Sequence, residues 1–164
     1  MNSMVSIRKV EDHDDAPIWR ILEPVIREAC TYTLPPEMPE KDALRFWRAT
    51  THEVFVAEYD GEIVGTYFMR PNQSGGGAHV ANCGYITAPW AGGRGIGRAM
   101  CVHSLEHARA RGYRAMQFNF VVSTNERAVR LWQACGFQIV GRLPQAFRHP
   151  RDGYVDALVM YQSL

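Results

Sequence analysis

Residues 87–97 read Thr-Ala-Pro-Trp-Ala-Gly-Gly-Arg-Gly-Ile-Gly. The run before them, His79–Thr87, reads as a strand. The run after them, Arg98–Arg111, carries a helical stripe of Gly97, Cys101, Leu105 and Ala108 and stops at Gly112. A strand therefore passes into a helix through a glycine-rich turn. Such a turn leaves backbone N–H groups unpaired and aimed outward, and the helix dipole adds partial positive charge. Together they suit a phosphate or pyrophosphate. Arg94 and Arg98 bring full charges to the same place. Two common phosphate motifs fail here. The third glycine of a G-x-G-x-x-G fingerprint falls on Arg98 or on Met100, and Gly97 is followed by Arg98-Ala99 where a P-loop needs Lys-Ser/Thr.

Upstream, Val5–Lys9 alternates like a short strand. Glu11, Asp12, Asp14 and Asp15 then precede a helical pattern of Ile18, Ile21, Leu22 and Ile26, as acidic residues do where a helix begins. Three prolines make 31–39 a loop, and Glu40–Thr50 reads as a second helix. The strands Glu53–Tyr59 and Glu62–Arg70 flank Asp60-Gly61, a hairpin pair that tolerates positive φ at both positions. Residues 72–78 form a loop. Downstream, Tyr113–Val122 is a strand. Ser123 with Glu126 forms a capping box for a helix whose stripe is Ala128, Leu131, Trp132 and Cys135. Two last strands, Phe137–Val140 and Tyr154–Tyr161, are joined by a loop rich in Pro, Arg and Gly. The order is β-α-α-β-β-β-α-β-α-β-β, without repeat or linker, so residues 1–164 read as a single domain.

The chain's 164 residues suffice for one core. Hydrophobic residues are 46%, charged residues 21%, and the net charge is +1. That balance excludes a nucleic-acid stripe and a basic membrane patch as partners. No run approaches ~18 apolar residues, and no leader is expected at the N-terminus. Cys30, Cys83, Cys101 and Cys135 show no zinc spacing, so they read as reduced thiols of a cytoplasmic protein, with no metal.

Gly95 and Gly97 at the start of the long helix resemble the Gln/Arg-x-x-Gly-x-Gly/Ala signature of the GNAT superfamily of N-acetyltransferases. Gly92 stands where the signature has Gln or Arg. A second match, Asn125-x-x-Ala128-x-x-Leu131-Trp132-x-x-x-Gly136-Phe137, resembles that family's next helix and strand. The likeness runs from about Val5 to Tyr161. It implies an α/β (α+β) fold with a mixed, mostly antiparallel sheet of six to seven strands and helices on both faces. Two central strands would splay apart to hold acetyl-CoA. The resemblance implies that backbone groups of Tyr85, Ile86 and Thr87 pair with the pantetheine arm, one N–H serving as oxyanion donor. It implies that Gly92, Gly93, Arg94, Gly95, Ile96, Gly97 and Arg98 hold the pyrophosphate, and that Asn125 and Trp132 also meet the cofactor.

Transfer would be direct attack of an amine on the thioester carbonyl. Many family members keep a tyrosine acid at the position of Trp132, which an indole cannot replace. A thiol of pKa ~8.5 leaves as thiolate at a cost of only about 2 kcal/mol at pH 7. Deprotonating a lysine-like amine costs about 4–5 kcal/mol, an α-amine about 1–1.5. The family's strand glutamate is missing from His79-Val-Ala-Asn-Cys-Gly-Tyr85. The candidate bases are His79 directly, or Asn82 through an oriented water. Tyr32, Asn119, Arg148 and Tyr154 are candidate acceptor-binding residues. The acceptor implied is a small-molecule amine, such as an amino acid or analogue. A peptide or protein N-acetyltransferase and a non-catalytic acyl-CoA-binding module are the alternatives. Such folds commonly dimerise, which makes a homodimer the other partner to test.

Overall fold

The computed structural model describes residues 4–164. Seven strands, β1 (Ser6–Lys9), β2 (Glu53–Tyr59), β3 (Glu62–Pro71), β4 (Val80–Thr87), β5 (Ala115–Val122), β6 (Gln138–His149) and β7 (Gly153–Ser163), form one sheet in the order β1-β2-β3-β4-β5-β7-β6. Every neighbouring pair is antiparallel except β4 and β5, which run parallel. The helices are α1 (Asp15–Glu28), α2 (Glu40–Trp47), α3 (Ile96–Ala110) and α4 (Glu126–Ala134).

The two-residue period of a strand assigns the faces. On β3, Tyr67 reaches His103 of α3, whereas Thr66 accepts a bond from the Trp47 indole of α2 and Phe68 lies edge-on to Trp47. On the α3 side, Leu131 of α4 lies 3.1 Å from the place of a β-carbon at Gly97. Helices α3 and α4 therefore cover one face, α1 and α2 the other. Trp47, Ile18, Ile21, Leu22, Tyr67, Met100 and Met116 are almost wholly buried between them. Burial of side chains this large contributes about 1.5–3 kcal/mol each.

The hairpin between β2 and β3 turns through Asp60 and Gly61 at φ 51° and 79°, the left-handed pair expected of Asp-Gly. Several boundaries differ from the sequence reading, and three of them bear on the site or have a clear physical cause. Helix α3 starts at Ile96, two residues early, because Gly95 at φ 72° is its cap. Helix α4 is capped by Asn125, whose side chain accepts from Ala128 N at 3.4 Å, and not by Ser123. The expected loop after Val140 is strand instead. β6 continues to His149 with register breaks at Ile139/Gly141 and Leu143/Phe147, and Pro144 and Gln145 (φ 50°) occupy the second. β6 is an edge strand, so it can carry a proline and bulges without losing central ladder bonds.

Candidate active site

β4 and β5 pair only at Val80↔Ala115 and Ala81↔Met116. Beyond that point they part. On its other side β4 remains fully paired with β3 as far as Thr87. Asn72 N donates to Val80 O and Ala88 N to Val64 O, so the even-numbered residues of β4 spend their backbone groups on β3. The odd ones, Cys83, Tyr85 and Thr87, face the gap. Asn82 bridges the strands at the fork, its Nδ2 donating to the main-chain oxygen of Gln117 on β5 at 2.9 Å.

The gap leads straight into the glycine turn. Gly93 and Gly95 adopt φ 78° and 72°, the left-handed region that glycine enters without cost. No side chain caps α3, so its first N–H groups remain open, as helix-start donors are. Gap, turn and helix start line one cavity of about 780 Å³. Its wall includes Tyr85, Ile86, Thr87, Gly92, Gly93, Gly95, Ile96, Gly97, Arg98, Asn125 and Trp132. Arg94 does not line it, because its guanidinium lies over the Tyr59 ring at 5.0 Å.

Arg127 was not foreseen. It projects from the first turn of α4 into the same wall, and a β-carbon added at Gly92 would lie 3.8 Å from its Nη1. The side-chain charge absent from position 92 is thus supplied from another helix. Only the pairing of α4 with the turn puts it there.

The opposite end of the cavity is built by the loop after α1 and the far parts of β3 and β5. Tyr32 crosses into the gap and donates its hydroxyl to Tyr85 O at 2.9 Å. Gly84 permits this approach, since a β-carbon there would meet the Phe68 ring at 2.7 Å and the Tyr32 hydroxyl at 3.1 Å. Polar side chains are linked at this end, with Arg70, Asn82 and Asn119 in the cavity wall. Arg70 Nε donates to Asn82 Oδ1, Gln117 Nε2 to Asn119 Oδ1, and Asn119 Nδ2 to Asn72 Oδ1. Glu28 at the end of α1 is the carboxylate in the wall.

Burial holds Tyr32 and Tyr85 well above the ordinary tyrosine range, so both remain neutral phenols. The Tyr85 hydroxyl points away from the gap, to Ser104 Oγ at 2.6 Å, leaving its backbone as the part that faces the cavity. Burial also pushes the Cys83 thiol up to about 12. Trp132 is buried against Tyr85 and Phe118, with ring centroids 4.8 and 5.1 Å away.

Besides Arg94, three sequence candidates lie elsewhere. His79 is exposed in the turn before β4, at the end where β4 and β5 are still paired. Six residues of strand, roughly 20 Å, separate it from Tyr85. It cannot act as the base in the gap. Arg148 and Tyr154 face each other across the outer part of the β6–β7 hairpin, both exposed, and neither lines the cavity. The sequence reading puts Arg148 in the loop that joins the last two strands and Tyr154 at its end, whereas β6 continues as strand to His149 and holds the pair in the hairpin. Tyr32, Asn82 and Asn119 do meet in the wall. Among the described residues, no group of His, Cys, Asp or Glu could hold a metal ion, and no helix is long and apolar enough to cross a membrane.

Residues 19–137 match the model of the acetyltransferase (GNAT) family. A GCN5-related N-acetyltransferase from Kribbella flavida superposes with a TM-score of 0.93 at 39% identity, covering 98% of each chain. A GNAT superfamily phosphinothricin acetyltransferase from Sinorhizobium meliloti, in complex with AcCoA, gives 0.86 at 19% identity over 98% of this chain and 88% of that one, a likeness of fold. N-acetyltransferase aca1 of Schizosaccharomyces pombe is 31% identical over 103 residues, 62% of this chain. The chain spans about half the length of that relative, 49%.

Proposed function

Because the chain belongs to the acetyltransferase (GNAT) family, we propose that it moves the acetyl group of acetyl-CoA onto the primary amine of a small molecule, such as an amino acid or an amino-acid analogue. The observation that carries this reading is the half-unpaired strand β4. Its odd-numbered backbone groups face a gap that ends at an uncapped helix start, and all of it opens into one cavity. An extended chain with amides at one end and phosphates at the other fits that sequence of donors and acceptors. Bound acetyl-CoA would supply a thioester carbonyl already activated towards amines.

The residues divide the work as follows. Open N–H groups of the turn, with Arg98 and Arg127, receive the pyrophosphate. Peptide groups of Tyr85 and Thr87 align the pantetheine arm, and an N–H in the gap stabilises negative charge on the acyl oxygen. Trp132 walls the cleft and supplies no proton. Cys83, the thiol in the cavity wall, is held protonated by burial and makes a poor nucleophile, which favours direct attack over an acyl-enzyme. Glu28 attracts the substrate ammonium, and Glu28 or a water held by Asn82 accepts its proton. The free thiols suit a reducing compartment, consistent with a cytoplasmic site of action.

The test is thiol release from acetyl-CoA against amino acids, their analogues, polyamines, aminoglycosides and peptides, with an enzyme-only blank for the protein's own cysteines. Release with one small-molecule class is expected. Release with peptides alone would replace the small-molecule reading by a protein acceptor. Silence across the panel while acetyl-CoA binds would leave a binding module.

A further inference from the structure

Three arginines of the described chain are half-buried: Arg8, Arg48 and Arg70. Arg8 holds Asp14 and Glu58, and Arg48 holds Asp15 and Asp12. Arg70 holds no carboxylate within ion-pair distance among the described residues, yet it lines the acceptor end of the cavity. Taking a guanidinium partly out of water without a counter-charge is unfavourable. Its Nε is committed to Asn82 Oδ1 at 3.3 Å, and Asn82 is itself fixed to Gln117 O. The side chain is therefore held by one edge, while its terminal nitrogens make no hydrogen bond within the described chain. A held, uncompensated guanidinium in a cavity wall is the arrangement that takes a carboxylate or another oxyanion through two parallel bonds.

We propose that Arg70 anchors an anionic group of the acceptor, so that the substrate is an amine bearing a carboxylate or comparable oxyanion. This rests on the acetyltransferase reading above. Glu28, in the same wall, supplies the opposite charge, and the two together match a zwitterion with its ammonium and its anion at separate points. Asn82 lies between β3 and β5 at the point where the gap opens. An anion on Arg70 therefore lies next to the fork, within a short molecule's length of the backbone of Tyr85. A long peptide is not needed to span that interval.

The experiment compares kcat/KM for an amino acid, its carboxamide and its aminophosphonate analogue, in the wild type, Arg70→Gln and Arg70→Lys. The wild type is expected to prefer the charged acceptors, and whichever of carboxylate and phosphonate is preferred names the oxyanion. In Arg70→Gln the acid-to-amide ratio should fall roughly 10- to 100-fold, mainly through KM, as expected for the loss of a charged hydrogen-bonded pair. Arg70→Lys should restore part of it, since charge returns without the planar fork. Equal use of acid and amide by the wild type overturns the proposal and leaves the acetyltransferase reading standing. So does an equal loss on both substrates in Arg70→Gln, which would make Arg70 only a prop for Asn82. No thiol release with any amine would overturn both.

Discussion

Arg127 reaches Gly92 from a different helix, and that contact defines a prediction at the scale of one residue. Replacing Arg127 by Gln should raise the acetyl-CoA dissociation constant roughly 5- to 30-fold, about 1–2 kcal/mol for a charged hydrogen bond. Gly92 has φ −63° and ψ 154°, which any residue accepts. Gly92→Arg in the Arg127→Gln background should therefore recover much of the loss. Calorimetric titration of the single and double variants checks this, and additive losses would refute the shared role. The sequence displayed Gly92 as a departure but could not show its remedy. The glycine turn was legible because its chemistry is local: positive φ, open N–H groups and nearby charge all sit within a few residues. Arg127 and Arg70 were not legible. What distinguishes them is the surroundings that packing brings together, and in sequence they look like other surface arginines. His79 failed for the opposite reason. Its residue type suited a base, but strand geometry put it at the closed end of the fork.

At the scale of elements, β4 carries two obligations, a full ladder to β3 and none to the outer part of β5. Gly84 is the residue where the first meets the crossing of Tyr32. Gly84→Ala would press a β-carbon to 2.7 Å from the Phe68 ring and 3.1 Å from the Tyr32 hydroxyl. Both neighbours belong to a packed aromatic group with Trp47, so neither yields freely. Overpacking of this kind costs about 1–3 kcal/mol. The expected outcome is a lower urea midpoint with an unchanged m-value, and loss of turnover beyond what stability explains, because Tyr32 must leave the gap. Wild-type turnover in this variant would mean that the Tyr32 contact is dispensable. Element identity was read correctly from periodicity and turn residues, even where the ends moved. The hairpin β6–β7 was read least well. Pro144 and the arginines around it signal a loop by composition, whereas an edge strand with two register breaks accepts them as strand.

For the whole molecule, the order of elements was visible because each connection advertises itself, by Asp60-Gly61, by the prolines of 31–39 and by Gly112 and Gly136. The splay was not visible from the strand residues alone. β4 and β5 are both apolar enough to pair along their length, and the resemblance to a family, not the pattern, predicted their parting. The structure then supplies a physical account: the parallel ladder lasts two residues, and the side chain of Asn82 replaces the next main-chain bond.

That unfinished ladder has a bearing on how long the protein survives. A sheet with missing rungs is weakest at the seam, and an acyl donor lying along β4 would add them. Donor at about 100 times its dissociation constant would stabilise the folded chain by about 2.7 kcal/mol, roughly a hundredfold fewer opened molecules. Proteolytic half-life should lengthen accordingly when acetyl-CoA is present, and remain the same with added acetate and adenine. The donor would then be a strand lent to the sheet, and the folded chain would resist cleavage for as long as the loan lasts.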